Sequence, residues 1–292
     1  MGGFILNLLG VAIAIYSGNP FDLAALIWGQ IAITSIQLMT HYCNDYFDLE
    51  ADRLNPTPTN WSGGSRMLPE GKTAPKVALR IALALAAIAF AVNLILSVFI
   101  RPGLATFVLL VSMQLLAWFY SAPPVRLHSH GLGELTTTVA VTLMTPLTAY
   151  YLQVGILTWL PVLAVIPLCC YQFAMLLSIE FPDAEGDQLA GKGTLVVKLG
   201  AASSARLYVT LLLLALGVLP LLLLGGLPRL IAVAIAALCP LTFWQIWRIY
   251  RGDWHDLKRW NGLGFYSIVL LVATSAAELV AFVILIGDSK LS

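Results

Sequence analysis

Nine apolar stretches, each near the ~20 residues that carry a helix across hydrocarbon, leave this chain few folds to choose from. They lie near 2–18, 21–43, 77–100, 103–120, 133–153, 157–179, 202–226, 229–248 and 264–287. Backbone groups in lipid must bond within their own segment, so each stretch is expected to be helical. With 59% apolar and only 11% charged residues, no soluble core could hide this much apolar surface. The expected fold class is all-α: a polytopic membrane bundle of about nine transmembrane helices, forming one transmembrane domain over residues 1–292. Residues 1–16 carry no basic n-region, so no cleaved signal is expected.

The connections between stretches are unequal. Four are long and polar, at about 44–76, 121–132, 180–201 and 249–263. The basic residues Arg53, Arg66, Lys72, Lys76, Arg80, Arg126, Lys192, Lys198, Arg206, Arg248, Arg251, Lys258 and Arg259 all fall on the side of those loops. Only Arg101, Arg229 and Lys290 remain for the other side. The positive-inside rule then predicts cytoplasmic long loops and a cytoplasmic N-terminus in a cell (inner) membrane. All 15 acidic residues except Asp22, Glu278 and Asp288 share that side, as do Trp61, Trp118, Trp244, Trp247, Trp254 and Trp260. A net charge of +1 excludes bulk attraction to nucleic acid. The bilayer is the expected surrounding, and no obligate protein partner is called for. Cys43, Cys169, Cys170 and Cys239 lie in or beside apolar runs without ligand spacing, so they read as small buried hydrophobes.

Two acidic clusters stand out. After the second stretch, Asp45, Asp48 and Asp52 follow i, i+3, i+7 spacing, which puts three carboxylates on one helical face. Asn44, one turn before Asp48, can add an amide oxygen. After the sixth stretch, Asp183 and Asp187 are an i, i+4 pair, with Glu180 one turn earlier. Either cluster alone reads equally well as a solvated helix end. Two of matched spacing on one membrane face point further. Carboxylates crowded at a helix C-terminus repel one another and its dipole unless a cation joins them. Oxygen donors without His or Cys suit hard Mg²⁺, which shares its remaining positions with water and phosphate. The expected arrangement is two facing carboxylate sets gripping a diphosphate through Mg²⁺, with Asp45, Asp48, Asp52, Asp183 and Asp187 as its ligands.

These motifs resemble those of the UbiA superfamily of intramembrane prenyltransferases. Asn44-Asp45-x-x-Asp48-x-x-x-Asp52 and Asp183-x-x-x-Asp187 are similar to its two signatures. The run from Tyr120 to Leu127 (Tyr-Ser-Ala-Pro-Pro-Val-Arg-Leu), followed by Gly131-Leu132-Gly133-Glu134, resembles its loop after the fourth span. Gly191-Lys192-Gly193-Thr194-Leu195 resembles the segment beyond its second signature. Departures are Ile179-Glu180, where relatives usually carry Asn-Asp, and Gly193, where many have a basic residue. The resemblance implies Mg²⁺-dependent transfer of a polyprenyl group from its diphosphate to an acceptor, commonly an aromatic ring. Glu180 to Asp183 together with Gly63 to Arg66 look most like the branch that prenylates 1,4-dihydroxy-2-naphthoate for menaquinone. Other acceptors stay open: 4-hydroxybenzoate, haem, chlorophyllide or a glycerol phosphate lipid.

For that chemistry Asn44, Arg66, Lys72, Arg126 and Lys192 are the candidates for binding diphosphate, with Lys198 a weaker one. The basic residues among them also fit plain positive-inside topology. Arg66 follows Ser62-Gly63-Gly64-Ser65, whose N–H groups could form an anion nest. Tyr120 is the candidate aromatic face beside an allylic cation, and with Asp45, Asp48, Asp183 and Asp187 it completes the expected catalytic set. Arg248, Arg251, Lys258 and Arg259 read as interfacial anchors. The segment 54–75 is expected to act as a lid. Glu278, inside the last stretch, reads as a protonated, hydrogen-bonded structural residue. The rival reading from another class is a transporter of cations or phosphorylated solutes. That would call for Gly/Pro-broken spans with polar pairs at the midplane, whereas these carboxylates lie at span ends on one side.

Overall fold

Every one of the nine stretches is helical in the computed structural model, which describes residues 2–289. Lys290, assigned above to the far side, lies outside the described residues. The helices are α1 (Gly2–Tyr16), α2 (Leu23–Phe47), α3 (Leu49–Leu54), α4 (Pro75–Ile95), α5 (Leu104–Phe119), α6 (Gly133–Thr137), α7 (Met144–Val154), α8 (Trp159–Glu180), α9 (Ala184–Leu189), α10 (Leu195–Leu199), α11 (Ala201–Gly217), α12 (Leu219–Leu224), α13 (Arg229–Ala236), α14 (Cys239–Tyr250) and α15 (Leu257–Ser289). Among the described residues, all regular structure is helical.

Five of these segments are long and apolar enough to cross a membrane: α2, α4 with its π-helical extension to Ile100, α8, α11 running on through α12, and α15. A sixth forms if α13 and α14, bent by 41°, count as one broken span. α1 and α5 are apolar but shorter. The stretch 133–153 is interrupted: α6 leads into a π-helical segment, Thr138–Leu143, and then α7. Pro146 in the first turn of α7 has no N–H for the carbonyl of Thr142, which favours such a break.

α1 is central in the bundle. It packs against α2, α7 and α15, and nearly all of its residues from Leu6 to Ala14 are buried. Small residues allow the close approach: a side chain at Gly10 would collide with the backbone of Pro146 in α7, and one at Gly3 with Gln37 in α2. On one flank α2 packs with α4 and α5. On the other, α8, α11, α13 and α15 share the largest apolar core, which includes Leu168, Tyr171, Leu212, Ile231, Leu270 and Phe282.

Polar residues inside the spans tie helices together. Asn7 donates to Gln30 at 2.9 Å, Gln114 to the Ala86 carbonyl at 2.9 Å, and Thr142 to Gln172 at 3.1 Å. Glu278 departs from expectation. It is fully buried, and among the described residues neither carboxyl oxygen has a hydrogen-bond partner. All four cysteines are free, with Cys43 and Cys170 buried.

At one end of the bundle, α2 and α8 each give way to a short helix, α3 and α9, and these two pack on each other. Gly186 in α9 makes this possible: a Cβ there would stand 2.8 Å from the Cα of Asn55, just past α3. Both acidic motifs lie at these two helix-to-helix junctions.

Candidate active site

The first motif does not run along one uninterrupted helical face. The chain bends at Asp48 (φ −99°, ψ 4°), between α2 and α3, and this carboxylate turns inward. It is buried and has three partners. Asn44 Nδ2 donates to Oδ2 at 2.6 Å, Lys192 Nζ to Oδ2 at 2.9 Å, and His128 Nε2 meets Oδ1 at 2.7 Å. The other His128 nitrogen, Nδ1, donates to the Tyr120 carbonyl at 2.6 Å. Both ring nitrogens of His128 are thus engaged, one by a backbone carbonyl and the other by the Asp48 carboxylate. Burial alone would raise the Asp48 carboxyl, but Lys192 and His128 hold it well below the usual carboxylate range.

Lys192 joins the two motifs. Its ammonium lies 2.9 Å from Asp48 and 3.3 Å from Asp187 Oδ1. Burial alone would lower the lysine, and the two carboxylates override it, so the ammonium is held charged well above its ordinary range. α9 places Asp187 one turn beyond Asp183, as the spacing predicted.

The glycine-rich segment closes over both motifs. Ser65 donates from Oγ to Asp45 Oδ2 at 2.7 Å and from its N–H to Oδ1 at 3.3 Å. Asn55 Nδ2 donates to Asp183 Oδ1 at 2.7 Å, and the Gly63 N–H to Oδ2 at 3.2 Å. Gly63 (φ +79°), Gly64 (φ +69°) and Arg66 (φ +62°) are all left-handed. The side chain of Asp52 fills the space a Cβ on Gly64 would need. The anions these loop N–H groups hold are thus the protein's own carboxylates.

The remaining candidates are placed as follows. Arg66 donates from Nη1 to the Asp52 carbonyl at 2.6 Å. Lys72 stands apart on the surface, paired with Glu70 at 2.7 Å. Arg126 is left-handed (φ +46°), half-buried, and its Nε has no partner among the described residues. Lys198 donates to the His130 carbonyl at 2.7 Å, and the Gly193 N–H to the Ser129 carbonyl at 3.1 Å, stitching the loop after α5 to the loop after α9. The Tyr120 ring stacks on His128 with centroids 5.0 Å apart. His41 is exposed, and Ser65 rather than His41 holds Asp45.

Sequence reasoning missed His128, Asn55 and Glu134. His128 and Asn55 carry no spacing signal, because each becomes relevant only through a partner on a distant helix. Glu134, from the Gly-Leu-Gly-Glu motif, is buried with its carboxyl against that of Glu180.

The site has a surplus of negative charge. Burial, then the charges of Asp48 and Asp183, push Asp52 up to about 7. Burial and Asp187 push Asp183 up to about 7, and burial raises Asp187. Among the described residues no three such side chains converge into a ready cation cage. The donors are nevertheless of the right kind for Mg²⁺, all oxygen, and a cation (the Lys192 ammonium) already spans the two motifs. The residues fit a divalent ion.

The raised carboxyls have a consequence for stability. A folded carboxyl whose pKa is raised binds protons that the unfolded chain has lost, so stability falls as pH rises between about 4 and about 7. In metal-free detergent solution, Tm is expected to fall by several degrees over that window. Added Mg²⁺ restores it at the upper end by neutralising the ionised pair, and scanning calorimetry with and without Mg²⁺ reads both effects.

The match to known proteins covers the same architecture. A UbiA prenyltransferase family match extends over residues 5–269. The chain belongs to the UbiA prenyltransferase family. It is a prenyltransferase by that membership. Among UbiA relatives, the digeranylgeranylglyceryl phosphate synthase of Sulfolobus acidocaldarius is 30% identical over 209 residues, covering 68% of each chain. The 1,4-dihydroxy-2-naphthoate octaprenyltransferase of Bacillus subtilis is 24% identical over 206 residues, covering 70% of this chain but 64% of its own length. The fold matches the apo structure of a UbiA homolog from Aeropyrum pernix K1 with a TM-score of 0.71 at 21% identity, covering 96% of this chain and 97% of the homolog. It also matches a UbiA homolog from Archaeoglobus fulgidus bound to GPP and Mg²⁺, with a TM-score of 0.59 at 15% identity, over 95% and 96% of the two chains. UbiA membership accounts for the pairing of an apolar bundle with acid motifs at one end.

Proposed function

We propose that this chain, as one transmembrane domain over residues 1–292, transfers a polyprenyl group from its diphosphate to an acceptor at the cytoplasmic face of a cell membrane. The observation that carries this reading is the single ammonium of Lys192 lying between Asp48 and Asp187, which brings both acid motifs to one point. Asp45, Asp48, Asp52, Asp183 and Asp187 are the residues that would hold Mg²⁺. Bound there, the metal supplies a Lewis acid against the charge that develops on the departing diphosphate.

The chain's own residues do the rest. With diphosphate bound, Lys192 would turn from the carboxylates to that anion, and Arg66, Arg126 and Asn44 would add donors around it. Lys72 reaches it only by leaving Glu70. His128 keeps Asp48 fixed while this exchange takes place. Tyr120, held against His128, places an aromatic face near the allylic carbon as diphosphate leaves. The loop from Asn55 to Arg66 shields that carbon from water. The polyprenyl tail lies in the bilayer or along the bundle. The distribution of basic residues supports long loops and an N-terminus on the cytoplasmic side.

The proposed acceptor is aromatic, 1,4-dihydroxy-2-naphthoate in menaquinone synthesis, which the motif pattern and the Bacillus subtilis relative favour. A second reading, transfer to a glycerol phosphate lipid, is favoured by the 30% identity to the Sulfolobus acidocaldarius synthase. Membranes incubated with labelled geranylgeranyl diphosphate, Mg²⁺ and each acceptor in turn distinguish them by product mass. Prenylated naphthoate is the expected product. A prenylated glycerol phosphate lipid in its place moves the assignment to the second reading, and no transfer to any acceptor removes the proposal.

A further inference from the structure

At the same end of the bundle, away from the acid motifs, a second charged cluster is built around one buried carboxylate. Asp253 is fully buried in the turn between α14 and α15 and is paired with three arginines. Arg248 Nε lies 2.6 Å from its Oδ2, while Arg251 Nε and Arg259 Nη1 share its Oδ1 at 3.2 and 3.0 Å. Arg248 is enclosed: Trp244 and Tyr266 flank its guanidinium at 5.0 and 5.7 Å, and it donates to the Gly262 carbonyl at 2.8 Å. Arg251 and Arg259 are different. Their side chains are 42% and 40% exposed, yet Asp253 holds them side by side.

A guanidinium has five N–H donors. Arg251 uses its Nε and one Nη2 donor on Asp253. Arg259 uses Nη1 on Asp253 and Nε on Asp256. Each keeps an outward set of donors, fixed in direction because the inner set is anchored. With Arg248 and Lys258, the four cations outnumber the two carboxylates of Asp253 and Asp256, so the exposed rim is positive.

Below this rim the outer face of α14 is apolar. Phe243, Trp247 and Tyr250 are 55%, 50% and 78% exposed, and their i, i+4, i+7 spacing makes a stripe along the helix. Trp247 lies 4.4 Å beneath the Arg251 guanidinium, so the stripe and the rim are continuous. Trp61 against Phe265 and Trp254 against Phe181 place the cluster beside the site's loops, at span ends, where aromatic and basic residues favour the headgroup region.

We propose that Arg251 and Arg259 form a clamp for the phosphate of an anionic phospholipid, whose acyl chain lies along Phe243, Trp247 and Tyr250. Two prefixed guanidinia match a tetrahedral phosphate diester, and the net positive rim disfavours a zwitterionic headgroup whose own cation would be brought beside it. The apolar stripe selects a lipid over free phosphate. This inference is independent of the acceptor and of the proposed catalytic roles.

Delipidated full-length protein in detergent is to be titrated with phosphatidylglycerol, phosphatidylcholine or inorganic phosphate, with Tm and retained lipid by native mass spectrometry as readouts. Phosphatidylglycerol is expected to raise Tm by several degrees and to remain bound, and the other two probes to do neither. R251Q/R259Q is expected to weaken phosphatidylglycerol binding by about tenfold or more. Should that variant fail to fold, R251K/R259K keeps both charges opposite Asp253 and removes only the forked donors, and a smaller but measurable loss is expected. Undiminished retention of phosphatidylglycerol by a folded variant overturns the clamp. So does an equal shift with phosphatidylcholine or inorganic phosphate.

Discussion

Replacing Asp48 with Ala lowers Mg²⁺-dependent diphosphate release by at least about a thousandfold, a loss of roughly 4 kcal/mol of transition-state stabilisation. Two effects add at this position. The first motif loses the carboxylate that Lys192 links to Asp187, and with it one of the expected ligands of a shared divalent ion. Lys192 also loses its shorter ion pair and keeps Asp187 alone, and the buried His128 loses the hydrogen-bond partner of its Nε2. Asp48→Asn separates the two effects. It keeps the shape and one accepting oxygen but removes the charge and puts an NH2 donor in place of the other oxygen, and it is expected to fold more stably than the Ala variant while remaining nearly as inactive. Diphosphate release by purified protein, with Tm measured alongside, checks both. Turnover near that of the unaltered protein in either variant removes Asp48 from the metal set.

Asp253→Ala is the largest expected loss of stability, about 3–5 kcal/mol. The Arg248 side chain is 6% exposed and enclosed by Trp244, Tyr266 and the Gly262 carbonyl, so it cannot reach water when its carboxylate is removed. An unpaired charge held in that enclosure carries its full desolvation cost. Arg251 and Arg259 add less, because exposed guanidinia are rehydrated when released. The expected result is a Tm lower by about 10 °C in detergent. Arg248→Met together with Asp253→Leu removes both buried charges and recovers most of that loss. A single variant that melts with the unaltered protein would show that Arg248 is solvated after all.

The arginines near residue 250 also show where sequence reasoning stops. Arg248, Arg251, Lys258 and Arg259 carry the same positive-inside signal, so along the chain they look alike. Packing divides them: Arg248 is a core residue with a buried partner, while Arg251 and Arg259 hold one shoulder to that partner and leave the other exposed. In the same way Lys72 and Lys192 are both lysines in polar loops, yet one lies on the surface beside Glu70 and the other links the two acid motifs.

Helix placement was legible because it follows from local physics. A run of apolar residues long enough to span hydrocarbon has to satisfy its own backbone, and every such run is helical here. Which helices are long enough to span alone was less legible. A π-helical segment before Pro146 interrupts one stretch, α13 and α14 bend by 41°, and α1 and α5 are shorter than a full span.

The sequence by itself determined an all-helical membrane bundle and two carboxylate motifs at helix ends, since both are written in spacings of one to seven residues and in the lengths of apolar runs. Only the tertiary structure decided how those carboxylates are held. Asp48 meets His128 across 80 positions and Lys192 across 144, and Asp183 meets Asn55 across 128. Contacts at those separations depend on how α3 settles on α9, which Gly186 permits by having no side chain. Steric fit between distant helices has no period along the chain, so it enters only when the bundle has packed.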